Sequence, residues 1–173
     1  MKKIDLHLHL TPFQIPKLGK MNLTSGKNMI PHLEELGISK GVLMSSGEKG
    51  LPFGTNEANK KICRQFPDRY AWMCSISPKG KTSVYDRLAR FQAEGAVGIG
   101  ELTYNHKLTD PFLQEVFAAA EKLGATVYLP PLSLCGDNAA MIGSQAYYEY
   151  QAGNTAGMEL NAYATKSILG EAL

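Results

Sequence analysis

Two histidines alternate with leucines near the start of the chain, in the run Ile4-Asp5-Leu6-His7-Leu8-His9-Leu10. Successive side chains of an extended strand point to opposite faces. Asp5, His7 and His9 therefore share one face, and Ile4, Leu6, Leu8 and Leu10 share the other. A rise of about 3.3 Å per residue puts the Cα atoms of His7 and His9 about 6–7 Å apart, near enough for both rings to reach one cation. Neutral imidazole is a common ligand of zinc and similar ions. The bland alternative is an amphipathic strand with its histidines in water. Solvent faces more often carry Lys, Thr and Glu, which favours the metal.

A catalytic zinc usually takes three protein ligands and keeps one position open. Glu101 is the best third candidate, because it closes the Gly-rich run 96–102 and a carboxylate there can reach a central cation. Its plain alternative is a capping or surface carboxylate. Asp5 shares the histidine face and reads either as a carboxylate orienting an imidazole or as a polar residue opening the strand. Ser45, Ser46 and Asn56, in and beyond the loop after a second strand, and His106, after a fourth, are the candidate substrate contacts. His32 reads as structural, and Arg69 and Lys107 as surface cations able to hold a carboxylate. Zinc is the expected ion; manganese and iron also suit such donors. A bound divalent ion acidifies water and polarises carbonyl oxygens. That chemistry fits hydrolysis of amides, lactones or esters, and decarboxylation of an enol or phenol acid. A general base is also required, and no residue after strand five stands out as one, so the catalytic residue is unassigned.

The elements that must position these groups follow a regular rhythm. Strands are expected over 4–10, 40–46, 70–76, 96–102 and 125–129, and helices over 28–37, from Thr55 or Asn56 to about 66, from Thr82 or Ser83 to 95, and 112–123. Asp110-Pro111 is a good N-cap and first-turn pair, and Gly37 and Gly124 are plausible C-terminal stops. Five strands alternating with four helices argue parallel βαβ units. Both a (β/α)8 barrel and an open sheet fit that rhythm, and ligands at strand ends favour the barrel, whose sites open at the C-terminal face. Gly95, Gly98 and Gly100 lie before and within a strand, so they do not make a dinucleotide-binding loop. After Leu129 the rhythm fails at Pro130-Pro131. Weak helical patterns run through 139–150 and 158–169 without a clear apolar stripe. The expected division is a partial barrel over 1–129 and an atypical segment over 130–173.

The 173 residues are enough for one domain with a real core, and a formal charge of +2 with no basic block shows no nucleic-acid footprint. Cys63, Cys74 and Cys135 lack metal-type spacing and read as buried thiols of a reducing compartment. Met1-Lys2-Lys3 is followed by Asp5 and two histidines, which spoil a signal-peptide core. No run approaches the roughly 20 apolar residues of a membrane span. A cytoplasmic protein with a small-molecule substrate, and neither a nucleic-acid nor a membrane partner, is the expectation.

The segment up to about Val127 resembles the amidohydrolase superfamily, and within it the amidohydrolase-related group of aminocarboxymuconate-semialdehyde decarboxylase-like proteins and lactone hydrolases. Four stretches carry the resemblance: 4–9, the run ending at 41–47, the run from Asn56 through 66–70, and 97–102. It implies a (β/α)8 TIM-type barrel and a metal site with one or two ions, and it carries His7 and His9 over as ligands. Glu101 matches the strand-four carboxylate that TatD-type nucleases use, which makes a TatD-like metal-dependent nuclease the nearest enzymatic alternative. The chain departs from the family downstream. Such enzymes place a histidine at the end of strand five, one near strand six and an aspartate after strand eight. Here the first position reads Leu129-Pro130-Pro131, and no histidine follows His106. The length also falls short of the roughly 250 residues typical of a barrel. The expected fold is thus a (β/α)8 barrel truncated after about five strands.

One reading of the tail is translation out of frame: two proline codons, CCN-CCN, read one base later give CNC, a histidine codon when N is A. The non-catalytic alternative is a degenerate partial barrel. Its open edges would invite association, and pairing with a second copy of the chain is one way to close them.

Overall fold

The computed structural model describes residues 3–15, 17, 22–48, 53–102, 107–126 and 139–158. The described chain separates into two compact units, Met1–Val127 and Tyr128–Leu173. In the first, strands and helices alternate: β1 (Lys3–Leu8), α1 (Gly26–Glu35), β2 (Ile38–Met44), α2 (Asn56–Gln65), β3 (Tyr70–Cys74), α3 (Val84–Ala93), β4 (Ala96–Ile99) and α4 (Pro111–Lys122). The four strands form one parallel sheet in the order β1-β2-β3-β4. The second unit contains α5 (Ala139–Gln151). Its described side chains are almost all exposed, in keeping with the missing apolar stripe. The expected fifth strand lies mostly outside the described residues, and Ala125 and Thr126 are not strand.

Local chemistry sets the helix boundaries. Ser25, Thr55 and Ser83 accept hydrogen bonds from the third backbone N–H beyond each, and Asp110 accepts from Phe112 N–H. Each satisfies a donor that the first helical turn leaves without a partner. α1 and α4 run out into Gly37 and Gly124, at φ of +68° and +80°, a conformation that costs a side-chain-bearing residue and not glycine.

The helices cover one face of the sheet. α1 packs on β2, α2 on β3, and α3 on β4 and α4. Leu43 of β2 stands beside Trp72 of β3 in register. Both are buried with Ile62, Leu88, Phe91 and Val116. Along β3 every second residue, Tyr70, Trp72 and Cys74, is buried. β1 departs from its expected packing. Leu8 and Leu10 meet the core, but Ile4 and Leu6 are 57% and 65% exposed. The register of β1 on β2 shifts between Asp5 and Leu8, three residues of β1 spanning two of β2, so the expected single aliphatic face is interrupted and its first half stays uncovered. Among the described residues no helix is long and apolar enough to cross a membrane.

A buried cation ties α2 to α3. Burial pulls the Lys60 pKa down, but its hydrogen bonds to Glu57 and Glu94 outweigh this and leave it above 10.5. A lysine whose folded pKa is raised contributes stability that is complete below the unfolded value and fades as pH rises through the folded one. Tyr70, pushed up to about 12 by burial, adds a loss of the same sign above pH 10. Cys63 and Cys74, likewise pushed by burial from 9.0 up to about 12, add losses of the same sign from pH 9, so the stability of the chain is expected to fall above about pH 9. Urea titrations should show a shallower fall above pH 10.5 in Lys60→Met, with the losses from Tyr70, Cys63 and Cys74 remaining; an unchanged slope would contradict the assignment.

Candidate metal centre

β1 carries His7 within the strand and His9 one residue past its end. Leu8 and Leu10, which alternate with them, face the helical side and meet the core, so both imidazoles turn to the opposite side of the sheet. Glu101 arrives from β4. Two strands lie between β1 and β4, and three gaps of about 4.8 Å would hold them about 14 Å apart in a flat sheet. The chain after β4 shortens that path. Gly100 N–H donates to the carbonyl of Cys74 (2.9 Å), the Gly100 carbonyl accepts from Ser45 N–H (3.1 Å), and Glu101 N–H donates to the Ser45 carbonyl (2.6 Å). Residues that follow β4 thus bond across the end of β3 to the chain that follows β2, one strand nearer β1.

The three side chains meet as a result. His7 Nε2 lies 3.0 Å from Glu101 Oε1, and His9 Nε2 lies 3.8 Å from the same oxygen. The two Nε2 atoms are 3.1 Å apart. All three ligand atoms lie within 4.8 Å of one another, the one such His/Cys/Asp/Glu group among the described residues. Donors held about 2.1 Å from one tetrahedral ion are about 3.4 Å apart, and the three separations bracket that value. The donor set also fits, since two imidazoles and a carboxylate are a known catalytic zinc set, open to manganese or iron. The side chains of His7, His9 and Glu101 are 56%, 42% and 28% exposed, which leaves an open side for a substrate.

The other candidates are placed differently. Asp5 Oδ1 accepts from the backbone N–H of His7 at 3.0 Å, so its hydrogen bond goes to the main chain and not to an imidazole. Ser45 and Asn56 are buried at 0% and 2% exposure. Their polar atoms bond strand ends and α2. Ser46 is exposed and its hydroxyl donates to the Gly54 carbonyl. His106 lies outside the described residues. His32 is exposed in the last turn of α1, and Arg69 pairs with Glu34 at 3.4 Å. Lys107 is exposed. Cys74 is buried and Cys63 partly so, both free. Burial pushes each thiol up to about 12, so neither is a thiolate at neutral pH. Cys135 lies outside the described residues. An apolar hollow beside β4, lined by Cys74, Leu88, Ile99 and Ala120 among others, carries no carboxylate or imidazole. Sequence reasoning did not single out Ser75 or Asn59, both fully buried. Asn59 carried one signal: it is an amide on the α2 stripe that also holds Ile62 and Cys63, where an apolar residue is expected.

No family model matches the chain. Solved structures share its fold. An amidohydrolase II superposes at TM-score 0.54 with 18% identity, over 88% of this chain and 60% of its own. The 2,6-dihydroxybenzoate decarboxylase from Rhizobium superposes at 0.53 with 16% identity, over 84% and 55%. Curated proteins give short matches of another name. A tRNA N6-adenosine threonylcarbamoyltransferase of Lactobacillus johnsonii is 46% identical over 63 residues, 36% of this chain and 18% of the relative. Its counterpart in Lactobacillus delbrueckii subsp. bulgaricus is 44% identical over 75 residues, 43% and 21%. The chain thus spans about a fifth of the length of these curated relatives. Its fold is α/β, of the (β/α)8 barrel type of its structural neighbours, with four described parallel strands and their helices.

Proposed function

We propose that the barrel unit is a metal-dependent hydrolase or carboxy-lyase of small organic acids, lactones or amides. One observation carries the reading: His7 Nε2, His9 Nε2 and Glu101 Oε1 converge at the C-terminal ends of parallel strands, where barrel enzymes build their sites. His7 and His9 would hold a divalent cation, with Glu101 as third ligand. Such an ion supplies Lewis acidity toward a substrate oxygen and lowers the pKa of water. The chain's own residues fix the donors and keep one side open. The names of the fold neighbours, an amidohydrolase and a decarboxylase, support the same two reaction classes. Turnover of lactones, amides or carboxylated aromatics is expected to vanish on chelation and return with zinc or manganese. Turnover that survives exhaustive chelation would overturn the reading.

The curated matches support a second reading. The curated matches name an enzyme unlike the barrel neighbours, and Tyr128–Leu173 separates from the barrel unit. This reading assigns the matching stretch to the region that includes the second unit, as a piece of a threonylcarbamoyltransferase-like chain joined in frame to a partial barrel. Resequencing the gene across the codons for 95–140 tests it, since a matching stretch of 75 residues that includes the second unit begins no later than residue 99. An unbroken junction supports the joined chain, and a one-base slip that restores histidine after Leu129 supports the frame-shifted tail instead.

A further inference from the structure

The Glu101 carboxylate lies beside His7 because the chain after β4 crosses to Ser45, and that crossing has its own supports. Asn56, at the first position of α2, exchanges two hydrogen bonds with Ser75: its Nδ2 donates to the Ser75 carbonyl and its Oδ1 accepts from Ser75 N–H, both at 2.8 Å. The Ser75 hydroxyl then donates to the Glu101 carbonyl at 3.0 Å. One turn along α2, Asn59 Nδ2 donates to the Met44 carbonyl at 3.1 Å and to the Ser45 hydroxyl at 2.9 Å. Ser45 in turn brackets Gly100 and Glu101 through its backbone. Four polar residues, each 2% exposed or less, thus link one end of α2 to both sides of the Glu101 peptide. Burying four polar side chains is unfavourable unless they are hydrogen-bonded; among these side chains only Asn59 Oδ1 lacks a partner, and the bonds reach the peptides on either side of Glu101.

We infer that Asn56 and Asn59, acting through Ser75 and Ser45, are positioning residues that hold the Glu101 carboxylate opposite His7 and His9. This deepens the proposed metal centre and rests on it for its purpose. The test compares the full chain with Asn56→Ala and with the milder Ser75→Ala, by two readouts. Amide hydrogen exchange, without metal, reads the strut itself. The Gly100 and Glu101 amides should lose protection in both variants, while Leu43 and Trp72 of the sheet keep theirs. Cobalt titration, followed by its visible absorption, reads the consequence. Residues behind the ligands typically matter about 10–100-fold in metal affinity, and a loss in that range is expected, with altered cobalt absorption. Folded variants with unchanged Glu101 exchange and cobalt affinity within about twofold of the parent would overturn the inference, since a strut behind a ligand should cost more. If the parent chain binds no cobalt, the metal reading fails, and amide exchange alone then decides whether the strut exists.

Discussion

Trp72→Ala is expected to destabilise the barrel unit by about 3–5 kcal/mol, the range for truncating a large buried aromatic. Trp72 is 2% exposed. It stands in β3, the strand flanked by β2 and β4, and its ring meets Phe91 of α3 edge to face at 6.3 Å between centroids. Its removal would open a void where β3 meets α3, and the neighbours on both sides are secondary structure that cannot collapse freely. Domains are stable by only about 5–15 kcal/mol, so a loss of this size would remove much of the reserve. Trp72 is the single tryptophan and its fluorescence disappears with it, so urea unfolding should be followed by far-UV circular dichroism. A change below about 1 kcal/mol would show that β3 is not the centre of a packed unit, because surface substitutions reach only about half that.

Glu101→Gln should weaken metal binding by at least about 100-fold, the upper end of what residues behind the ligands cost. The substitution is nearly isosteric. It leaves the backbone bonds of residue 101 to Ser45 and Ser75 in place and removes only the anionic donor that lies 3.0 Å from His7 Nε2. Isothermal titration with zinc would read the change. An affinity within a few-fold of the parent would remove Glu101 from the ligand set, while leaving the histidine pair standing.

Most of the βα rhythm is legible in the sequence because its punctuation is local. Ser83, Asp110, Gly37 and Gly124 each act on their own helix end, and no distant contact is needed to read them. His7 and His9 are legible for the same reason, since period-two alternation places them on one face whatever the sheet does next. Other features depend on contacts between elements. Nothing in the run Gly98-Ile99-Gly100-Glu101 announces that it will bond across β3 to Ser45. A buried polar residue supporting a strand end has the same local signature as a substrate contact, so Ser45 and Asn56 were legible as polar and not as buried. Ile4 and Leu6 carry a core-like pattern, but the register of β1 on β2 shifts between Asp5 and Leu8, which breaks the alternation that would place them with Leu8 and Leu10. The tail gives least, because a helix such as α5 with exposed apolar residues Ile142, Tyr147 and Tyr150 states no preferred inner face.

On the proposed reading, β1 and the end of β4 together bind one divalent ion. Elemental analysis of the purified, untagged chain beside the His7→Ala/His9→Ala double variant tests it most directly. Near-stoichiometric metal is expected in the parent and none in the double variant, with both folded by circular dichroism. A folded parent free of zinc, manganese and iron after incubation with each and buffer exchange, or a double variant that keeps its metal, would contradict it.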